Sequence, residues 1–433
     1  MAESVHFIGI YGSGCFRAAL AAKAFGFSVS GCSADGETPY AAAIDSAGIP
    51  VEIGHDAAHI AGADIVAVSP ALLHQSKKIA EVAAAKDAGK LTTWQDFLGG
   101  RIFPKMKCAA VAGTHGKTTT SSMLGYVLQR AGLKPMLFIG ANVPQLDAGE
   151  QDTGWAVIEA DEYGDNFASY RPRFIILNNL EMEHPEFFSD FEHYKSVFSD
   201  FLANAPSDGV LVYNAGDKNI PDVLGAYRGR RVPFSAADAD GFALRLAGAH
   251  NVSNAAAVVK LSREIGISDD TIRNALADFA GAGHRLEKVF DDGRAAVIDD
   301  YAHHHTQAAA SIAAMRGEYP GRKLVVVYEP HQISRYVRNT EETLRALAAA
   351  DFAIITRFWG GREAHLDVPD AAADIERFEI KNMAYIPDLQ ESANAALASI
   401  GDAPAAILVM GAGQSWKIAR ELKEILARGE FPY

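Results

Sequence analysis

The sequence predicts an α/β protein of three domains, and three observations carry that prediction. Its 433 residues exceed what one core ordinarily organises, and a rough scale of about 150 residues per domain suggests three. Strand-like apolar runs alternate with helical segments in the βαβ order of parallel sheets. Glycine-rich turns stand directly between a strand and a helix from Gly9 to Gly14 and from Gly113 to Gly116, where such sheets bind anions.

The first block, residues 1–106, reads VHFIGI as a strand, AALAAKAF as a helix, FSVSG as a strand, a helix around Tyr40 to Ala47, and ADIVAVSP as a strand. Its turn is Gly9-Ile10-Tyr11-Gly12-Ser13-Gly14, spaced GxxGxG and not GxGxxG. Two readings stand side by side: a tight turn without a ligand, and a helix N-terminus holding a nucleotide diphosphate. On either, this block is Rossmann-like.

The second block, residues 107–283, opens with the strand Cys108 to Val111 and the run VAGTHGKTTT. A standard phosphate loop has Gly, four residues, then Gly-Lys-Ser/Thr; here Val111 stands where the first glycine belongs, and Gly113 supplies one at a shorter interval. The working end, Gly116-Lys117-Thr118 between strand and helix, is complete. Backbone amides can curl around phosphate oxygens, Lys117 can reach the terminal phosphates and the Thr118 hydroxyl can meet Mg²⁺. The block therefore reads as a P-loop ATPase-type α/β domain. Its later strands, WAVIEAD, RFIILNNL and GVLVYNAGD, end in polar residues, so Glu159 and His184 can reach the same sheet edge. In GAHNVSNA, Asn251 and Asn254 lie three apart at a helix start and can face one ligand, although a helix N-cap explains one of them equally well.

The third block, residues 284–433, repeats the pattern with AAVIDDYA, KLVVVYEP, FAIITRF and AAILVMGAG as strands, a second Rossmann-like α/β domain. His331 and Arg335 follow VVVYEP, where a cation can clamp a carboxylate. GAGQSWK reads equally as a ligand loop or as a tight turn. Short loops near Pro104 and Gly283 serve as linkers.

A net charge of −14 without a basic stripe argues against nucleic-acid and membrane partners. Cys15, Cys32 and Cys108 are scattered, with no CxxC, and indicate neither a disulfide framework nor a zinc site. No apolar run reaches the ~18 residues of a membrane span, and no signal peptide is visible, so a cytoplasmic location is expected.

Seven runs in order, GTHGKTTT, EADEYGDNF, NNLEMEHP, GAHNVSNA, DDYAHHHT, EPHQISR and GAGQSWKIAR, span nearly the whole chain and closely resemble the Mur ligases, ATP-dependent amino-acid ligases of peptidoglycan synthesis. The resemblance implies ATP and Mg²⁺ as cofactors and an acyl-phosphate route to an amide. It assigns catalysis to Lys117, Glu159, His184 and His303, and the metal to Thr118, Glu159 and His184. ATP is assigned to Gly113, Thr114, His115, Gly116, Lys117, Thr118, Thr119, Asn251, Asn254, Arg285 and Asp300. The other substrates are assigned to Gly12, Ser13, Gly14, Ser69, Tyr301, His303, His331 and Arg335. HFIGIYGSG and DDYAHH look most like the branch acting on UDP-N-acetylmuramate, which implies that partner with L-alanine, or with the tripeptide L-alanyl-γ-D-glutamyl-meso-diaminopimelate; a monomer or homodimer is implied.

The segment NNLEMEHPEFF favours the tripeptide, whereas EPHQISR and GGREA favour L-alanine. Three departures matter. His284-Arg285 stands where two arginines are common, Gln332 replaces the first arginine of a PHRxxR run, and Lys195 does not match the position of the carbamylated lysine of some relatives. A noncatalytic nucleotide-binding regulator with the same fold is the other class kept open.

Overall fold

A computed structural model describes residues 2–12, 14–34, 36, 40–73, 79–141, 143, 145–146, 153–185, 187–401 and 403–429. Three sheets follow one another along the chain. The first contains β1 (Ser4–Ile8), β2 (Ser28–Ser33), β3 (Val51–Ile53), β4 (Ile65–Val68) and β5 (Leu91–Thr93), all parallel in the order β3-β2-β1-β4-β5. The strand order reverses between β1 and β4, so the turn from Gly9 to Gly14 and Ser69 flank the crevice that such a reversal opens.

The second sheet is also parallel: β6 (Lys107–Ala112), β7 (Met136–Phe138), β8 (Trp155–Glu159), β9 (Phe174–Leu177), β10 (Val210–Asn214) and β11 (Arg230–Phe234), ordered β11-β10-β9-β6-β8-β7. β6 is central and buried along five of its six residues, as its unbroken apolar run demands. The third sheet comprises β12 (Glu287–Asp291), β13 (Ala295–Asp300), β14 (Lys323–Tyr328), β15 (Phe352–Ile355), β16 (Met383–Tyr385) and β17 (Ala405–Met410), ordered β12-β13-β17-β14-β15-β16. It departs from an all-parallel pattern at one edge, where β12 pairs antiparallel with β13.

Helices cover both faces of these sheets. The cores of the first two merge through Phe97, Leu98, Ile102 and Phe103, which pack continuously with Phe7 on one side and Tyr170 and Phe198 on the other. Every strand expected from the sequence is present. The unanticipated ones, β3, β5, β7, β11, β12 and β16, all lie at sheet edges, where burial imposes little periodicity.

Candidate active site

The run from Gly113 to Gly116 wraps the carboxyl end of β6 so tightly that both glycines are required. Gly113 has φ 128° and a Cβ there would press on the Asn179 backbone at 3.0 Å; Gly116 has φ 79° and its Cβ would meet Asn254 Oδ1 at 2.5 Å. The helix Lys117–Arg130 follows. Its first intrahelical bond runs from Thr120 N to Gly116 O, so the amides of Lys117, Thr118 and Thr119 precede the helical ladder and form an anion-attracting end.

Thr114 lies at the wall of the larger of two cavities beside the loop and is tied down on its inner side. Its amide donates to Asn179 O, and its buried hydroxyl bonds Glu181 backbone and Tyr194 Oη at 2.8–2.9 Å, so it braces the loop. His115 also bonds Asn179 Oδ1 through its amide. Its ring bonds Glu181 Oε2 at 2.7 Å and Gln307 Nε2 at 3.0 Å, joining the second sheet's loops to the third block.

Lys117 Nζ donates to Gly113 O at 2.7 Å and pairs with Glu162 Oε2 at 2.8 Å. Burial opposes its charge, but Glu162 and Asp161 outweigh that and raise its pKa, so the ammonium persists at neutral pH. Glu162 itself has no exposed surface, and Tyr194 Oη donates to its other oxygen. Thr118 Oγ1 donates to Glu159 Oε1 at 2.7 Å and accepts from Arg285 Nη2 at 3.2 Å; Glu159 Oε2 also accepts from Gly140 N.

His184, at φ 54°, groups with Asp161 and Glu162, their donor atoms lying within 4.8 Å of one another. Thr118, Glu159 and His184 all line one cavity, together with Asp161, while Glu162 is buried behind them. Lys195 lies elsewhere, pairing with Glu192 and Asp222.

Two cavities adjoin this loop. One of about 230 Å³ has His115, Gly116 and Thr119 on one side, Asn251 and Asn254 on a second, and Arg285 and Asp300 on a third. The helix Ala249–Ile265 is capped by Gly248, so neither asparagine is the N-cap; Asn251 Nδ2 donates to Ala247 O and Asn254 Nδ2 to Asn251 Oδ1. Asp300 is buried, accepts from Ser311 Oγ at 2.5 Å, and has its pKa raised by that burial.

The other cavity, about 360 Å³, is lined from all three blocks: Gly14, Arg17 and Trp94; Lys117, Thr118, Glu159 and His184; Arg285, Tyr301, His303, His331 and Arg335. Gly12 and Ser69 stay on the first sheet's edge, outside this lining, and Ser13 lies outside the described residues. Gly14 is needed because a Cβ would fall 2.3 Å from the Trp94 ring.

Arg285 is the cation that crosses to the loop, stacking its guanidinium 4.6 Å over Tyr301. His284 turns away to Asp299 Oδ2 at 2.5 Å, a hydrogen bond that raises its pKa. Arg335 lines the same cavity with most of its guanidinium already paired. It is 4% exposed; Nε and Nη2 meet Glu183 Oε1 at 2.7 and 2.6 Å, and Nη1 donates to His331 O. That guanidinium is largely committed to an internal carboxylate. His303 Nδ1 donates to Tyr301 O at 2.9 Å, which leaves Nε2 as an acceptor; burial first, and then Arg335, hold its pKa well below the usual value. Gln332, at φ 65°, is buried in the turn and not aimed along the cavity as an arginine substitute.

Sequence reasoning missed Arg17, Trp94, Asn178, Asn179 and Gln307. Arg17 reaches Leu137 O at 3.0 Å from the first helix. Only the asparagines had a signal, inside NNLEMEHP.

Comparison with known proteins finds three family models along the chain. Residues 4–93 match the model described as "Mur ligase family, catalytic domain", 111–240 "Mur ligase middle domain", and 284–413 "Mur ligase, glutamate ligase domain". A UDP-N-acetylmuramate–L-alanine ligase of Persephonella marina is 30% identical, the match covering 98% of this chain and 97% of that protein. Among solved structures, the UDP-N-acetylmuramate-alanine ligase of Thermotoga maritima has a TM-score of 0.76 at 24% identity, covering 98% of this chain and 99% of that one. A murein peptide ligase of Psychrobacter arcticus has 0.68 at 25% identity, covering 100% of both.

Proposed function

The chain belongs to the Mur ligase family of ATP-dependent amide-forming ligases of peptidoglycan synthesis, and from that premise we propose that it joins the carboxylate of UDP-N-acetylmuramate to the amine of L-alanine. Domain boundaries at 106/107 and 283/284 and a cytoplasmic place of work belong to the same reading. The observation that carries it is the larger cavity, into which the phosphate loop and residues of both other blocks converge.

On this reading ATP lies in the smaller cavity, its base against Asn251 and Asn254 and its phosphates at the amides of Lys117 to Thr119. Lys117 and Arg285 meet the transferred phosphoryl group, which needs positioning and charge stabilisation more than covalent help. Thr118, Glu159 and Asp161 offer the hard oxygen donors that suit Mg²⁺, with His184 beside them, and a bound ion there would neutralise phosphate charge. The sugar carboxylate approaches past Gly14, Arg17 and Trp94. His303 Nε2 accepts a hydrogen bond from the incoming amine; its lowered pKa suits holding and aiming that amine better than keeping its proton.

L-Alanine is favoured over the tripeptide by charge. The tripeptide carries several carboxylates, whereas Glu183 already neutralises Arg335 on the amine side. The tripeptide reading is kept because a murein peptide ligase is among the full-length structural neighbours. Phosphate release with ATP, Mg²⁺ and UDP-N-acetylmuramate should appear with L-alanine and be weak with glycine, L-serine or the tripeptide. Release with the tripeptide alone would move the assignment to that amine, and no release with any amine would sink it.

A further inference from the structure

Away from the active site, four elements of the first domain bury an unusual set of donors against one another. Cys32 is next to last in β2, Glu81 lies on the helix Ala80–Asp87, His55 and His59 follow β3, and His6 is in the middle of β1. Cys32 and Glu81 have no exposed surface and His6 has 1%. Cys32 Sγ lies 3.0 Å from Glu81 Oε2 and 3.5 Å from His55 Nδ1, and those two are 2.9 Å apart. His59 Nδ1 meets the other Glu81 oxygen at 2.5 Å. A ligand nitrogen of His6 lies within 4.8 Å of the Cys32 and Glu81 donors. His6 Nδ1 is bonded to Ser30 Oγ at 2.9 Å, whereas its Nε2 is buried without a hydrogen-bond partner.

We propose that Cys32, His55, Glu81 and His6 form a structural zinc site, with His59 orienting Glu81 and Ser30 orienting His6. Zinc bonds of about 2.0–2.3 Å in a tetrahedron place ligand atoms roughly 3.3–3.7 Å apart. The Cys32–His55–Glu81 triangle is within a few tenths of an ångström of that size, and His6, within 4.8 Å of Cys32 and Glu81 but farther from His55, closes the tetrahedron by moving inward on binding. Among the described residues the ion-pair partners of the fully buried Glu81 are two histidines, so a divalent cation held there would be matched by a buried carboxylate. The donor set of one sulfur, two imidazoles and one carboxylate is borderline-soft, unlike the oxygen-rich phosphate-loop wall. The Ser30 contact fixes the His6 tautomer that turns Nε2 inward, as the outer partners of metal-bound histidines do. Cysteine spacing gave no hint of this, because the ligands come from four separate elements.

The full chain, purified without chelator, should carry about one zinc per molecule by mass spectrometry of metals. After stripping, Co²⁺ should produce a thiolate-to-cobalt charge-transfer band that zinc removes and Mg²⁺ does not. That band can report only Cys32, because Cys15 and Cys108 are buried elsewhere against backbone carbonyls. Cys32→Ser should abolish it. Ser30→Ala, which leaves the ligands in place, should weaken cobalt binding about 10–100-fold. No band in the unmodified chain, or a band that survives Cys32→Ser, overturns the proposal.

Discussion

The loop after β6 and the turn after β17 both join a parallel strand to a helix N-terminus through two glycines, yet they meet opposite fates. After β6, the amides of Lys117 to Thr119 border two cavities, and Lys117 folds back over the loop. After β17, the amides of Gly413, Gln414 and Ser415 donate to one oxygen of Glu329 at 3.1, 2.6 and 3.0 Å. An internal carboxylate takes the position an anionic ligand would take. GAGQSWK is a tight turn filled from within, and the lesson is general: a glycine-rich turn is a ligand site only when the fold leaves its amides unfilled.

The largest expected effect breaks the open loop. Lys117→Ala should lower kcat/KM for phosphate release by at least about 10²–10³, the usual consequence of removing one preorganised donor. It also leaves Glu162 buried without its counter-ion, at a stability cost of roughly 3–5 kcal/mol. The double change Lys117→Met with Glu162→Gln separates the two: melting should recover while activity stays lost. Recovered activity would show that Lys117 is structural.

Glu329→Ala attacks the filled turn. Removing a fully buried acceptor of three amides should cost about 1–3 kcal/mol, read as a lower Tm, while phosphate release at permissive temperature changes little. Glu329→Gln, which keeps one acceptor oxygen, should recover part of that loss. If Glu329→Ala abolished turnover in a folded protein, the turn would belong to the site after all.

His303→Ala sharpens what the open loop faces. A residue that positions the amine should raise the KM for the amine about tenfold or more with kcat little changed, whereas a base should lower kcat. The depressed pKa of His303 leads us to expect the first result, with no new acidic limb between pH 6 and 8.

The difference between the two turns also marks what a sequence can disclose. β6, Gly113 and the helix from Lys117 are local, and their chemistry is readable because every part lies within a dozen residues. Glu329 is 84 positions before Gly413, and nothing in either run declares that they meet. Similarly, Arg335 read as an open clamp because Glu183, its partner, is 152 residues away. His284-Arg285 became intelligible only when Asp299 drew the histidine aside and left the arginine to Thr118. Short-range geometry was legible; partners chosen by tertiary folding were not.

The smallest expected effect concerns the latch that keeps the open loop covered. Glu181 accepts from His115 at 2.7 Å and from Thr306 Oγ1 at 2.9 Å, so it ties the phosphate loop to the helix His305–Glu318 of the third block. Burial alone would raise its pKa, but His115 and its hydrogen bond bring it down to about 2 from 4.5. Because the folded value is the lower one, the latch contributes fully above pH 4.5 and is lost as pH falls toward 2. Glu181→Gln keeps the shape, removes the charge and should flatten that acid dependence of Tm. Since Glu181 is partly exposed, the effect at pH 7 should be small, with kcat within about threefold. A Glu181→Gln profile identical to the parent's between pH 5 and 2 would mean that other carboxylates govern the acid limb, and that the Gln307–His115 and Arg285–Thr118 contacts suffice to hold the loop to the third block.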